Sequence, residues 1–194
     1  SGPWSAIRNP SDRFTWPEAI VRFARGLGAA HRGKVNGARA EVERLSQLDE
    51  ATQQTGEDLF ARNIRVLRLE LSSWLAHAER QEDSSVALMR EAAELEVTTP
   101  KPAVTPAPTL PAHELLGDLL MEQKHPADAL AAYQRSMELY PRRFNSLLGA
   151  ARAARALGNK ALARTFFGEL LEVADSGTRQ PALKEAEDYV AQGQ

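Results

Sequence analysis

Residues 113–141 read HELLGDLLMEQKHPADALAAYQRSMELYP, and this stretch decides the fold that the sequence predicts. Its small and aromatic residues recur as similar types 34 positions further along the chain. A period of this length is typical of stacked helical hairpins, each of which buries its apolar face only against a neighbour. The sequence therefore predicts an all-α fold, a right-handed solenoid. The paired positions are Leu116, Gly117, Ala129, Tyr133 and Pro141, followed by Ala150, Ala151, Ala163, Phe167 and Asp175.

The composition is that of an ordinary globular chain, since 43% of the 194 residues are hydrophobic and 26% are charged. There is no cysteine, which excludes disulfides, thiol nucleophiles and thiolate metal sites. No apolar run approaches the roughly 20 residues that cross a bilayer, so we expect no membrane span. The N-terminal Ser1-Gly2-Pro3-Trp4 is not a plausible natural start, and we expect the chain to be a piece of a longer protein.

Apolar residues at helical spacing divide the chain into four hairpins and a last amphipathic helix that suits a cap. The predicted helices cover about 15–31, 35–48, 57–78, 84–95, 112–123, 127–139, 144–157, 160–174 and 181–191. We expect one continuous array. Its parts are an N-terminal extension (1–14), two degenerate hairpins (15–97), a proline-rich crossover (98–111), two clear repeats (112–175), and a capping helix with its tail (176–194).

The crossover contains five prolines and no helical period. Proline lacks the amide proton and restricts the residue before it, so the segment is expected to be extended. Two interpretations remain open. The crossover either braces the array, or it is a recognition arm, because proline-rich segments bind aromatic grooves.

Charge is unevenly distributed along the chain. Residues 41–96 hold 13 Asp and Glu against 6 Lys and Arg, whereas residues 139–168 hold six basic residues and no acidic one. This basic stretch is either a solvated face paired with carboxylates of the neighbouring hairpin, or a site for an acidic partner. Its members are Arg142, Arg143, Arg152, Arg155, Lys160 and Arg164.

Residues 113–141 resemble a tetratricopeptide repeat. Leu116 and Gly117 stand where the first helix touches the second, Ala129 at their tight crossing, Tyr133 in the groove beside it, and Pro141 at the end of the unit. Two helix backbones approach closely only over small side chains, and the aromatic ring fills the wedge that they leave. The resemblance implies an array of about four repeats whose function is to bind proteins.

The resemblance weakens toward the N-terminus. The first hairpin matches through Gly26, Gly33 and Ala38, and the second has Ser73 and Ser85 at the two small positions. Four stretches, WPEAIVRFARGLGAA, ALMREAAELE, VTPAPTLPAHELLGDLL and PRRFNSLLGAARAA, also resemble the C-terminal part of a group of bacterial tetratricopeptide-repeat proteins with further repeats upstream. Many members begin with an export signal, which implies a periplasmic or external location; this sequence alone leaves the compartment open.

No motif indicates an enzyme, and we expect none. The four histidines, His31, His77, His113 and His125, have no pair at a spacing of three or four, so no metal site is expected. Gly26 and Gly28 begin a run like a dinucleotide fingerprint, but the final glycine is missing and the run lies in a predicted helix. Neither a Walker loop nor a nucleophile elbow is present, and no cofactor is expected.

By resemblance, the first helix of each hairpin lines a concave groove, which gives nine candidate contact residues. Trp74 and Met121 have an alternative role in core packing, and Arg152 and Arg155 have an alternative as salt-bridge partners of Glu114 and Asp118. The nine are Glu70, Trp74, His77, Glu114, Asp118, Met121, Asn145, Arg152 and Arg155.

The predicted function is a scaffold or interaction module that binds a peptide or protein in this groove. One alternative is a purely structural C-terminal brace of a longer repeat protein, which predicts an exposed apolar face near Trp4, Phe14 and Trp16. A second is self-association through the acidic middle and the basic stretch. Nucleic acid is not expected, because aromatic residues other than Phe144 do not interleave with the basic residues.

Overall fold

A computed structural model of the chain describes residues 15–101, 108–174 and 180–192. Within these ranges the chain forms nine helices and no strand, which confirms the predicted all-α class. The helices are α1 (Thr15–His31), α2 (Val35–Gln54), α3 (Asp58–Ala78), α4 (Glu82–Thr98), α5 (Ala112–Glu122), α6 (Pro126–Leu139), α7 (Phe144–Ala156), α8 (Lys160–Val173) and α9 (Pro181–Ala191).

The chain divides into two compact units, residues 1–109 and residues 110–194. The first unit contains α1 to α4, and the second contains α5 to α9. The predicted extension, 1–14, and residues 102–107 of the predicted crossover lie outside the described residues. A single continuous array therefore stays a prediction.

Four hairpin turns have the same backbone conformation. After α1, α3, α5 and α7, a residue with positive φ ends the helix, and the next N–H donates to the carbonyl five residues back. This bond closes the last helical turn in the manner of a Schellman cap. Two of these positions are glycine, and two carry long basic side chains. The positive-φ residues are Gly33, Arg80, Lys124 and Gly158, and the closing bonds are 2.9, 2.9, 2.8 and 3.0 Å long.

In the first unit, α3 is the central helix and packs against α1, α2 and α4. It is buried on most of its circumference, including Ile64, Leu71 and Trp74. A Cβ at Gly26 of α1 would stand 2.3 Å from a methyl carbon of Leu71, so the missing side chain is what lets α3 approach α1.

In the second unit, the ring of Tyr133 on α6 fills the space between α5 and α7. A Cβ at Gly117 would stand 2.5 Å from the ring, and a Cβ at Gly149 would stand 2.2 Å from it. The repeat pattern predicts Gly117 beside Tyr133, whereas Gly149 carries no such signal in the sequence. Tyr133 is 2% exposed, so the two glycines make a slot that only a flat ring fills.

The last helix, α9, packs on α8. Its buried residues are Leu183 and Ala186, and the ring of Tyr189 lies 5.0 Å from the ring of Phe167. The observed range, Pro181–Ala191, agrees with the predicted one.

Gly149→Ala should destabilise the second unit by about 1–3 kcal/mol, because the new methyl group overpacks the Tyr133 slot. Gly168→Ala is the matched control: this glycine lies in α8, and a Cβ there would meet nothing within 4 Å. That substitution should stabilise by about 0.5–1 kcal/mol, since alanine favours a helix interior over glycine. Urea unfolding of the two variants measures both effects, and equal changes would contradict the slot.

Candidate functional site

Three candidate residues of the second unit lie on one side of it, together with a carboxylate of α9. Asp118 on α5 and Arg152 on α7 interact electrostatically, and both Arg152 and Arg155 form ion pairs with Glu185 on α9. Asp118 precedes Arg152 by one 34-residue period, so the two occupy equivalent positions in successive hairpins.

The ion pairs at α9 differ from those that the sequence predicted. Nη2 of Arg152 lies 2.5 Å from Oε2 of Glu185, and Nη1 of Arg155 lies 2.8 Å from Oε1. Glu114 and Asp118 were the expected partners. The hydrogen bond from Arg152 holds the pKa of Glu185 below its usual range.

Glu114 has another partner and is 1% exposed. Nε and Nη2 of Arg143 donate to its two oxygens at 3.0 and 3.1 Å, and the Ser146 hydroxyl donates to Oε2 at 2.6 Å. Ser146 in turn lies 3.0 Å from the Ser136 hydroxyl of α6. These charged and hydroxyl donors join Glu114 to the next hairpin, and little of its side chain is accessible to a binding partner.

Asp118 is less buried and accepts a 2.6 Å hydrogen bond from the hydroxyl of Tyr133. Burial raises the pKa of Asp118 from its usual 3.8 to about 6, although the bond from Tyr133 acts in the opposite direction. Burial also raises the pKa of Tyr133, so that its hydroxyl stays a donor.

The spacing of two further candidates places them on the same helix faces as Asp118 and Arg152. Met121 comes three residues after Asp118 and is half-buried, and Asn145 comes seven residues before Arg152 and is exposed. Residues at these spacings share one side of a helix. We define the first-helix surface as Asp118, Met121, Asn145, Arg152 and Arg155.

The candidates of the first unit are mostly internal. Glu70 is 0% exposed and Trp74 is 2% exposed. The Trp74 ring contacts the His31 ring at 4.3 Å and the ring of half-buried His77 at 5.7 Å. This arrangement matches the alternative in which Trp74 serves the core.

The two carboxylate oxygens of Glu70 are buried, and neither has a hydrogen-bond partner among the described residues. Burial raises the pKa of Glu70 well above its usual range, and the nearby Glu96 adds to the effect. Other buried carboxylates of this unit are paired. Glu18 accepts bonds of 2.8 and 2.9 Å from Arg44, and Asp49 accepts bonds of 3.0 and 3.3 Å from Arg65.

Neither a metal cluster nor a bilayer span emerges from the described ranges. There, no group of three or more His, Cys, Asp or Glu side chains is arranged to hold a metal ion. None of the helices within 15–101, 108–174 and 180–192 combines the length and the apolar character that crossing a bilayer requires.

Sequence reasoning missed Gly149 and Glu185. For Arg143 it offered pairing with a carboxylate of the neighbouring hairpin, but it did not identify Glu114 as the partner. Glu185 follows Arg152 by 33 residues, close to the repeat period, and this spacing is a signal that could have identified it. Arg143 carried no such signal, because its position just before α7 depends on how the hairpins meet.

Residues 111–143, which cover α5 and α6, match the family model of the tetratricopeptide repeat. No curated protein matches the chain. A solved structure from the functional characterization of Pseudomonas aeruginosa pilF is similar to this chain, at 15% identity and a TM-score of 0.45 over 91% of this chain and 89% of that one.

Residues 111–143 are thus recognised as one tetratricopeptide repeat within the second unit. Tetratricopeptide repeats generally mediate protein–protein interactions, and proteins of this class are typically scaffolds without enzymatic activity.

Tyr133→Phe should raise the pKa of Asp118 above about 6, because it removes the hydrogen bond that favours the ionised form. A carboxyl-carbon NMR titration of Asp118 measures this. Tyr189→Phe is the control, because the Tyr189 ring lies against Phe167, and it should leave the Asp118 titration unchanged. A lower Asp118 pKa in Tyr133→Phe would contradict the assignment.

Glu70→Gln should make the first unit more stable than the wild type at high pH. Because the folded-state pKa of Glu70 is raised, its contribution to stability is complete below the unfolded value near 4.5 and is lost as the pH rises through the folded pKa. The amide does not ionise, so the variant lacks this loss. Urea unfolding against pH tests this, with exposed Glu50→Gln as the control. Parallel pH profiles for the three proteins would show that Glu70 is ionised in the fold.

Proposed function

We propose that the second unit binds a peptide segment of a protein partner along the first-helix surface. The observation that carries the proposal is the joint position of Asp118, Arg152 and Arg155 on one side of α5 and α7. Both arginine side chains are 44% exposed. The surface therefore offers charged groups of both signs, held by buried helices, to an incoming chain.

Two uncharged residues extend the surface beyond its charged groups. Asn145 supplies an exposed amide that both donates and accepts hydrogen bonds, and half-buried Met121 supplies an adaptable apolar contact. An extended segment that contacts both residues also passes the charged groups between them. This mixture suits a peptide better than a small metabolite, which would need a closed pocket.

The internal ion pairs weaken the alternative of charge-driven self-association. Arg143 is compensated by Glu114, and Arg152 and Arg155 share Glu185. These two carboxylates thus offset two of the six positive charges in the basic stretch, so fewer charges remain to attract the acidic stretch of another copy.

Selection of a random peptide library on the chain, followed by binding measurements on variants, tests the proposal. The double variant Met121→Ala, Asn145→Ala should weaken the selected peptides by about tenfold or more, equivalent to about 1.4 kcal/mol. The control is Gln134→Ala, Thr165→Ala, two exposed positions on the second helices α6 and α8, and it should change affinity less than twofold. Peptides that lose affinity only for the control variant would place binding on the opposite side.

A further inference from the structure

Arg152 and Arg155 hold one carboxylate between them. Nε and Nη2 of Arg152 donate to Oε2 of Glu185 at 3.1 and 2.5 Å, and Nη1 of Arg155 reaches Oε1 at 2.8 Å. Two guanidinium groups offer more N–H donors than one carboxylate can accept at once. The pair is therefore a site for carboxylates that Glu185 fills from within the same chain.

The site is built on the hairpin of α7 and α8. The guanidinium carbon of Arg155 lies 5.8 Å from the centre of the Phe167 ring, a distance that suits a cation–π contact. Phe167 is 0% exposed, so its ring is a fixed platform under the arginine. The guanidinium of Arg155 therefore keeps a contact with its own hairpin even without Glu185.

The ion pairs of Glu185 are weak enough for another carboxylate to replace it at the two arginines. Its side chain is 23% exposed and the arginines are 44% exposed, and ion pairs with this access to water contribute only about 0–1 kcal/mol. Within α9, Leu183 and Ala186 are the buried residues. A second carboxylate can thus replace Glu185 without disturbing the packing of α5 to α8.

We propose that Arg152 and Arg155 bind a glutamate or aspartate side chain of an acidic partner peptide, and that Glu185 is an intramolecular competitor for this site. The inference rests on the proposed function and adds the chemistry of the partner. Charge complementarity identifies that partner as acidic. The neighbouring Met121 and Asn145 extend the contact beyond the reach of a single free anion.

Fluorescence anisotropy of the whole chain with a labelled peptide of repeated Ala-Ala-Glu-Ala units tests the inference. Glu185→Gln should bind this peptide severalfold more tightly than the wild type, up to about fivefold, because the competitor has lost its charge. Glu187→Gln is the matched control: it removes an exposed carboxylate from the same helix and changes the net charge equally, and it should leave the affinity unchanged. Equal gains in the two variants would overturn the inference, since bulk charge would then explain them.

A second set of variants separates the site from general attraction. Adding Arg152→Gln and Arg155→Gln to Glu185→Gln should abolish the gain, whereas adding Arg164→Gln, an exposed arginine of α8, should preserve it. The same peptide with Gln for every Glu should not gain. If it binds equally, or if inorganic phosphate competes as well as the peptide does, the site is not one for acidic peptides and the inference fails.

Two further measurements check that Glu185→Gln is folded and distinguish failure of this inference from failure of the proposed function. Circular dichroism checks that Glu185→Gln keeps its helix content. If it does not, Arg152→Gln in the wild-type chain replaces it and should weaken peptide binding by severalfold; unchanged binding would overturn the inference. Failure of this inference leaves library peptides that depend on Met121 and Asn145 intact, whereas failure of the proposed function removes those peptides and leaves the Glu185→Gln gain.

Discussion

The contact of the Tyr133 ring with Gly117 and Gly149 is the constraint on which the second unit depends. The ring touches a glycine of its own hairpin and a glycine of the next one, so a single side chain sets the spacing of three helices. Close packing of this kind tolerates little change in volume. The hydroxyl of Tyr133 also donates to Asp118, and the same contact therefore fixes the position of a charged group on the first-helix surface.

Buried carboxylates join neighbouring elements in both units. Glu18 links α1 to Arg44 of α2, Asp49 links α2 to Arg65 of α3, and Glu114 links α5 to Arg143 before α7. Removing one partner from such a pair leaves a buried charge and is costly, so these links favour one arrangement of the helices. Glu70 has no partner of this kind among the described residues, and the fold favours its neutral form instead.

The sequence predicted the helices well because their signals are local. Apolar spacing and turn residues located the nine helices of the described ranges, and the pair of Gly117 and Tyr133 followed from the repeat pattern. The site was predicted less completely. An exposed arginine has several carboxylates within reach, and only the packing of α9 shows that Glu185 is the partner of Arg152. The burial of Glu70 could not be predicted from its charged residue type, because it depends on how the neighbouring helices enclose α3.

Glu185 lies on the last helix of the second unit and forms ion pairs with two arginines of the first-helix surface. A capping helix shields the last hairpin from water, and here it also brings a carboxylate to the arginines that the surface would otherwise present. Any ligand that uses these arginines must bind them better than Glu185 does, and Glu185 acts at the high effective concentration of an attached group. Under the proposed binding mode, affinity for an acidic segment is a difference between two similar interactions, so partners that also contact the rest of the first-helix surface are expected to bind best.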